Sequence, residues 1–172
     1  NDATGMARLG FLRGDRTCEV GDTSGACNYS DGTNSYNSKS LRARASRLGD
    51  IIYSAPVYVG APQLYWPAIT PFPTTAGSTY ADWKAAHQNR SGVVYVGAND
   101  GMLHGFSTVS GREVMAYVPS QVYSTSSTAG LHYLSDPGYN HYFYVDLSPT
   151  VSDVHIRTTP SGTPGWKTVL VG

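Results

Sequence analysis

The chain has 172 residues, which is the size of one ordinary domain or of part of a larger one. Its 12 Lys and Arg residues balance 12 Asp and Glu residues, only 14% of all residues are charged, and no stretch carries a basic stripe. These features exclude the electrostatic pattern of a nucleic-acid-binding protein. There is no run of about 18 apolar residues to span a bilayer. The chain does not begin with the residue order of a signal peptide, so we expect the leader of an exported protein to lie before residue 1.

The polarity comes mainly from small, hydroxylated and amide side chains, with 19 Gly and 13 Tyr in the chain. Such residues favour short strands, turns and loops over long helices. The composition therefore predicts an all-β fold with little helix.

The N-terminal 40 residues are polar and turn-rich apart from a short apolar run at 9–12. The stretch 21–40 has too few apolar residues for a core of its own and predicts a surface loop or arm. Cys18 and Cys27, the two cysteines, predict one local disulfide and hence an oxidising compartment. Two free thiols are the main alternative, and a metal site is the weakest because no His lies near them.

Arg13, Gly14 and Asp15 form an integrin-type adhesion tripeptide. Three residues occur together often by chance, so we prefer the interpretation that Arg13 and Asp15 form local ion pairs or cap a turn. Residues 40–50 follow and predict a turn of helix ended by Gly49. The arginines of that segment, at positions 42, 44 and 47, are expected on a solvated or salt-bridged face.

From residue 51 the pattern changes to short apolar runs closed by Gly or Pro, which predict strands and turns. The run at 56–60 recurs at 93–97 after 37 residues and again at 168–172 after a further 75. A strand-built repeat of about 40 residues is typical of β-propeller blades, because a single blade cannot bury both of its faces. The spacing therefore predicts a partial β-propeller.

The best-defined unit covers residues 93–118, with predicted strands at 93–97, 102–106 and 113–118. Asn99, Asp100 and Gly101 predict the tight hairpin turn between the first two strands, which explains them better than a fragment of a cation-binding loop does.

Three further segments complete the predicted blades. Residues 61–90 are an insertion, in which prolines prevent regular structure at first and 82–87 permit a short helix. Residues 141–146 predict another strand. The next segment, 147–151, is similar to 53–57 and is expected to open the following blade.

The sequence offers few candidate functional side chains. The histidines have no metal-ligand spacing, and no Gly-x-Ser-x-Gly elbow is present, so we predict no metal site and no catalytic centre. Tyrosines cluster near Phe143 and suggest an adhesive aromatic patch, although strand alternation would bury half of residues 141–145. The histidines are His87, His104, His132, His141 and His155, and the tyrosines are Tyr133, Tyr139, Tyr142 and Tyr144.

Several segments, in order along the chain, resemble the PilC/PilY family of type IV pilus tip proteins. The resemblance runs from about residue 9 to the end and implies a modified, quinoprotein-like β-propeller behind an opening segment. Residues 1–47 would form that opening segment, and 48–172 would form the first blades, incomplete at the C-terminus. The matching segments are 11–16, 47–60, 94–106, 116–120, 139–146 and 166–172.

This resemblance implies a non-enzymatic protein outside a Gram-negative cell, at the cell surface or pilus tip. It would promote pilus assembly and biogenesis, contact minor pilins, and adhere to a host or abiotic surface. Some family members bind calcium through an acidic propeller loop. No such loop is present here, so we expect no cofactor in this segment and place any calcium site in the remainder of the propeller.

Two alternatives belong to other classes. A processed fragment with an exposed strand at 169–171 is a template for β-addition and predicts a self-assembling extracellular filament. Quinoprotein dehydrogenases share blade repeats of this type, but they need a calcium and quinone pocket, often beside a vicinal disulfide. Cys18 and Cys27 are not adjacent, which disfavours the dehydrogenase.

Overall fold

The computed structural model describes residues 3–172, which cluster into two compact units. The first unit takes in the chain up to Ile52, together with Ala98–Met102 and Tyr117–Asp146. The second unit takes in Tyr53–Gly97, Leu103–Ala116 and Leu147–Gly172. Both units are therefore assembled from segments that are distant in sequence.

The first unit begins with helix α1, Ala3–Leu12, where the sequence analysis expected only turns. Ala3, Ala7 and Phe11 recur every four residues and are buried, so they form one apolar face of the helix. Gly14 ends α1 with a φ of 94°. Its N–H donates to the carbonyl of Phe11 at 2.9 Å, and that of Asp15 donates to the carbonyl of Gly10 at 2.9 Å. This pair of bonds is a Schellman motif, which satisfies the last carbonyls of the helix.

A disulfide joins Cys18 and Cys27, with 4.6 Å between their Cα atoms. The hairpin of β1, Tyr29–Ser30, and β2, Ser35–Tyr36, follows it in a segment predicted to be a loop. The carboxylate of Asp31 accepts hydrogen bonds from the backbone N–H groups of Thr33 and Asn34, at 2.8 and 2.7 Å, and so shapes the hairpin turn. Both cysteines lie in the core of the unit, so this segment shares a core rather than forming its own.

That core combines residues from the whole first unit. Aromatic side chains pack against it from several directions, which gives a polar segment enough apolar contact to hold its shape. Its buried members are Ala7, Phe11, Cys18, Cys27, Leu41, Val122, Leu131 and Leu134.

Two predicted elements of this unit are wrong. Residues 40–50 form no helix, because the backbone of Leu41 pairs with Cys18 and Val20 at 2.9 and 2.8 Å in a short parallel bridge. Residues 141–146 form no strand. The N–H groups of Tyr142 and Tyr144 donate instead to side chains, each at 3.1 Å.

The second unit contains an antiparallel sheet of four strands in the order β3-β4-β5-β6. These strands are β3, Val57–Val59, β4, Val93–Ala98, β5, Met102–Ser107, and β6, Glu113–Tyr117. A second sheet pairs β7, Thr150–Ile156, with β8, Gly165–Val171. One four-stranded meander and one two-stranded sheet, neither of them closed, make a partial β-propeller, which confirms the predicted fold class.

The prediction that the 37-residue spacing separates successive blades is wrong, although the predicted partial β-propeller is confirmed. The runs at 56–60 and 93–97 are not successive blades, because they contain the neighbouring strands β3 and β4, with Val57 opposite Tyr95. The equivalent strands of the two sheets are β3 with β7 and β4 with β8. The similarity of 53–57 to 147–151 is therefore the true blade repeat.

Repeated serines connect the two sheets. Ser54 is buried, accepts a bond from the N–H of Gly97 at 2.8 Å and donates to the carbonyl of Leu147 at 3.3 Å. Its counterpart in the repeat, Ser148, accepts a bond from the N–H of Ala55 at 2.7 Å. Each sheet thus satisfies backbone groups of the other at the start of its first strand.

The insertion between β3 and β4 packs on the β7–β8 hairpin. It carries helix α2, Tyr80–Ala86, whose N-terminus is closed by a capping box of Thr79 and Asp82. The Tyr80 hydroxyl donates to the buried carboxylate of Asp153 at 2.7 Å, and the Trp66 indole donates to its backbone carbonyl at 3.0 Å. The predicted short helix is therefore present and starts slightly earlier than expected.

Two glycines with similar backbone angles test the hairpin turn between β4 and β5. Gly101 has a φ of 88° and a Cβ there would collide with Leu131, whereas Gly21 has a φ of 76° and open space around it. We expect Gly21→Ala to lower the free energy of unfolding by about 1–2 kcal/mol through its backbone angle alone. Gly101→Ala should lower the free energy of unfolding by about 1–3 kcal/mol more than Gly21→Ala does, because its Cβ would also overpack against Leu131. Urea unfolding of both variants measures the difference, and equal losses would contradict the described contact.

Candidate functional site

The adhesion tripeptide lies at the C-terminal cap of α1. Gly14 has the positive φ that the cap requires. The Asp15 carboxylate accepts bonds from the backbone and hydroxyl of Thr17 at 2.8 and 3.0 Å, and a short one from the Tyr29 hydroxyl. These bonds, that of Tyr29 foremost, hold the pKa of Asp15 below its ordinary value.

Two arginines also hold the backbone of the tripeptide. Arg47 donates through Nε to the carbonyl of Gly14 at 2.7 Å, and Arg44 donates through Nη2 to that of Asp15 at 2.9 Å. Only the Arg13 side chain is exposed without a described hydrogen bond. The helix cap therefore accounts for Gly14 and Asp15, and an adhesive role for the tripeptide stays a prediction.

A buried ion pair between Glu19 and Arg44 lies behind this cap, and sequence reasoning missed it. Glu19 is 1% exposed and accepts from Arg44 Nε at 2.7 Å and from the Arg44 backbone at 3.0 Å. The guanidinium of Arg44 lies 3.6 Å from the centre of the Phe11 ring. Burial lowers the pKa of Arg44, the Glu19 carboxylate opposes that shift, and the charges of Arg42 and Arg16 add to it. A lone Glu in a turn-rich segment gave no signal of burial.

The first unit has a shallow surface depression of about 460 Å³ lined by aromatic residues, which we call the aromatic groove. Tyr123, Tyr142 and Phe143 are its exposed aromatic residues, at 63%, 47% and 52% exposure. Exposed neighbouring rings give apolar contact area at a small cost in side-chain entropy. The groove is lined by Gln121, Val122, Tyr123, Ser124, Ala129, Gly130, Tyr142, Phe143 and Tyr144.

Hydrogen bonds made by the half-buried Tyr144 hold one wall of the groove in place. Tyr144 donates through its hydroxyl to the carbonyl of Gly130 at 3.1 Å, and its own N–H donates to Asn99. Burial raises the pKa of Tyr144 to about 12, so its hydroxyl stays protonated at neutral pH. Gly130 has a φ of 80° and lies directly against Ser124, which brings the polar loop close to the aromatic residues.

The predicted tyrosine patch is only partly correct in its residues. Tyr133 is buried, and Tyr139 and Tyr144 are half-buried against the core. The consecutive residues Tyr142 and Phe143 are both exposed, so the expected alternation is wrong because no strand forms there. Tyr123 was missed, since a single tyrosine before a Ser/Thr-rich loop shows no pattern.

The remaining candidates have structural contacts. Asn99 and Asp100 lie in the hairpin turn, where Asn99 donates to the Asp50 carboxylate at 3.1 Å and Asp100 accepts from the N–H of Gly49 at 2.8 Å. His141 also contacts Asp50, at 2.8 Å. Burial would raise the pKa of Asp50, but the bonds from Asn99 and His141 bring it below its ordinary value.

Residues 3–172 contain neither a cluster of potential metal-ligating side chains nor a helix that could span a membrane. In this range no group of three or more His, Cys, Asp or Glu side chains is arranged to hold a metal ion. No helix in the same part of the chain is long and apolar enough to cross a membrane.

The blade topology defines a β-propeller protein, and comparison with known families gives its class. The model of the PilY1 beta-propeller domain matches residues 48–172. The chain therefore belongs to the PilY1 propeller family, which confirms the resemblance seen in the sequence.

Relatives of known name agree with this family. The type IV pilus biogenesis factor PilY1 of Pseudomonas aeruginosa strain PAK is 41% identical over 175 residues, which cover 99% of this chain and 12% of that protein. A PilY1 homolog of Xylella fastidiosa is 38% identical over 167 residues, or 96% of this chain and 11% of that protein. The chain thus spans 11–12% of the length of these two relatives. No solved structure gives a significant match.

Removing one partner of the buried ion pair should destabilise the first unit strongly. Glu19→Gln leaves the Arg44 guanidinium buried without a counter-charge, and we expect a loss of about 3–5 kcal/mol in the free energy of unfolding. Asp22→Asn is the matched control, because Asp22 pairs with Lys39 at 3.5 Å on the surface and should matter little. Chemical denaturation followed by tyrosine fluorescence compares the two, and similar small losses would show that the pair is not a main support.

The bond between Tyr29 and Asp15 should make stability depend on pH at both extremes. The contribution of Asp15 is present above its ordinary pKa of 3.8 and is lost as pH falls through its lower folded pKa. Burial and the Asp15 bond raise the Tyr29 pKa to about 12, so its contribution is present below pH 10.0 and is lost as pH rises through about 12. Urea unfolding across pH should show both losses in the wild type and smaller ones in Tyr29→Phe.

Tyr36→Phe is the control for this pH series, because among residues 3–172 the Tyr36 hydroxyl bonds only to exposed Ser40, at 2.7 Å. It should retain the wild-type profile. The same flattening in both variants would assign the pH dependence to other groups.

Proposed function

We propose that this chain is a module of a type IV pilus biogenesis factor that acts at the pilus tip and adheres to external surfaces. Its membership of the PilY1 propeller family carries the pilus role. The adhesive role is supported by the aromatic groove, which exposes three aromatic rings beside the half-buried Tyr144, whose hydroxyl donates to the carbonyl of Gly130. The relatives found give no support to a filament-forming fragment or to a dehydrogenase.

The groove favours ligands with apolar faces and few charges. Exposed tyrosine and phenylalanine rings offer flat contacts, while backbone carbonyls and the serine hydroxyl beside them offer weak polar ones. A carbohydrate or an abiotic surface meets these requirements. Contact area of this kind supports multivalent adhesion without a deep pocket, since many pili act together.

Membership of the family supports the other features of the proposal. The protein works without catalysis, outside the cell or at its surface, in contact with minor pilins. The disulfide between Cys18 and Cys27 fits an oxidising compartment. Calcium, where family members use it, would bind in the remainder of the protein.

Adhesion and assembly can be separated with surface variants of the full-length protein, produced in a type IV piliated species whose own copy of the gene has been deleted. Tyr142→Ser combined with Phe143→Ser removes two exposed rings and should lower adhesion at least about threefold. The amount of pilin recovered by shearing should not change, because neither side chain belongs to the buried core. Both quantities are measured on the same cultures.

Tyr65→Ser is the control, since Tyr65 is 84% exposed and lies outside the groove. Normal adhesion by the groove variant, or an equal loss in the control, would overturn the adhesive role of the groove. Normal piliation in cells without the protein would overturn the biogenesis role.

A further inference from the structure

A second cleft of the first unit, separate from the aromatic groove, contains two arginines that form no ion pair with a described residue. It has a volume of about 220 Å³ and lies along residues 42–50. We call it the arginine cleft. Its walls mix charged side chains with apolar ones, including Leu48 and Leu134.

Arg42 and Arg47 line this cleft and are held in the same way. Arg42 donates through Nε to the carbonyl of Leu134 at 2.7 Å, and Arg47 donates through Nε to that of Gly14 at 2.7 Å. The Arg42 guanidinium also lies 4.4 Å from the centre of the Tyr139 ring. Both guanidinium groups are thus oriented before any ligand arrives, which reduces the entropy lost on binding.

The terminal amino groups of these two arginines make no hydrogen bond within residues 3–172, and neither arginine forms an ion pair there. Arg44, which also lines the cleft, is different because Glu19 neutralises it. Two guanidinium groups with oriented but unused donors match the forked oxygens of a carboxylate.

The other charges of the cleft select among anions. Asp50 and Asp100 lie in the same lining, Asp50 beside His141. Like-charge repulsion from two carboxylates disfavours a dianion such as phosphate more than it disfavours a single carboxylate. Small-molecule sites commonly measure about 300–1,000 Å³. This smaller space suits one side chain, whose methylene groups would contact the leucines.

We infer that the arginine cleft receives the carboxylate of an acidic side chain on an extended peptide segment of a partner protein, held by Arg42 and Arg47. Arg42 and Arg47 are binding residues in this role, while Tyr139 and the Leu134 carbonyl position Arg42. The inference does not depend on adhesion through the aromatic groove.

The test is a binding titration of the purified protein with a synthetic peptide of alternating Gly and Glu, followed by amide chemical shifts or calorimetry. Its counterpart with Gln in place of Glu should not bind measurably. Arg47→Gln should weaken binding on the order of tenfold, the scale of one lost charge-assisted bond. Arg47→Lys, which keeps the charge but not the fork, should give a smaller loss.

Arg13→Gln is the matched control, because Arg13 is exposed in the same unit and does not line the cleft. It should bind like the wild type. Equal weakening by Arg13→Gln and Arg47→Gln would overturn the inference in favour of general charge attraction. No binding by the wild-type protein, or tighter binding of inorganic phosphate that depends on the same arginine, would also overturn it. A thermal unfolding scan of each variant confirms that the comparison is made on folded protein.

Discussion

The first unit depends on the burial of the Glu19–Arg44 ion pair, because an unpaired charge in that position would be costly. The three bonding nitrogens of Arg44 each reach a different segment: Glu19, the end of α1 at Phe11, and the cap at Asp15. The disulfide begins at the residue before Glu19. The Arg44 guanidinium thus holds helix α1, its C-terminal cap and the disulfide loop together. The segment that lines the arginine cleft includes Arg44, so the pair also positions a surface available for binding.

A buried carboxylate has a similar role in the second unit. Asp153 accepts from Tyr80 and from Thr168, at 2.7 and 2.6 Å, and Arg90 joins Thr168 to the carbonyl of Gly60. The desolvated Asp153 is satisfied by neutral hydroxyl donors rather than by a direct ion pair. Burial and this carboxylate raise the pKa of Tyr80, so the donor stays protonated. A long, proline-rich insertion is thereby tied to the second sheet.

The sequence predicted the features that depend on neighbouring residues. Strands β4 and β5 were found because apolar runs flank a turn ending in Gly101, and α2 because Asp82 opens a helical run. Helix α1 was missed because its buried face has only three residues and its stabilising contacts come from segments distant in sequence. Residues 141–146 were assigned to a strand because of their composition, but Asn99 and Tyr139 bind their backbone instead. Tertiary partners decided those cases, and no local pattern encodes them.

The two binding surfaces that we propose were chosen for their unused hydrogen-bond donors and exposed surface rather than for a sequence motif. The tripeptide at 13–15 matches the integrin-type motif in sequence. The Asp15 carboxylate, however, already accepts three hydrogen bonds, and a receptor would have to break them. Arg42 and Arg47 form no motif, yet their oriented guanidinium groups retain donors that no described residue uses. Tyr142 and Phe143 likewise keep about half of their surface exposed. A ligand gains most where side chains are already oriented but have donors or surface still unused, which is the reason we propose the cleft and the groove, rather than the helix cap, as recognition sites.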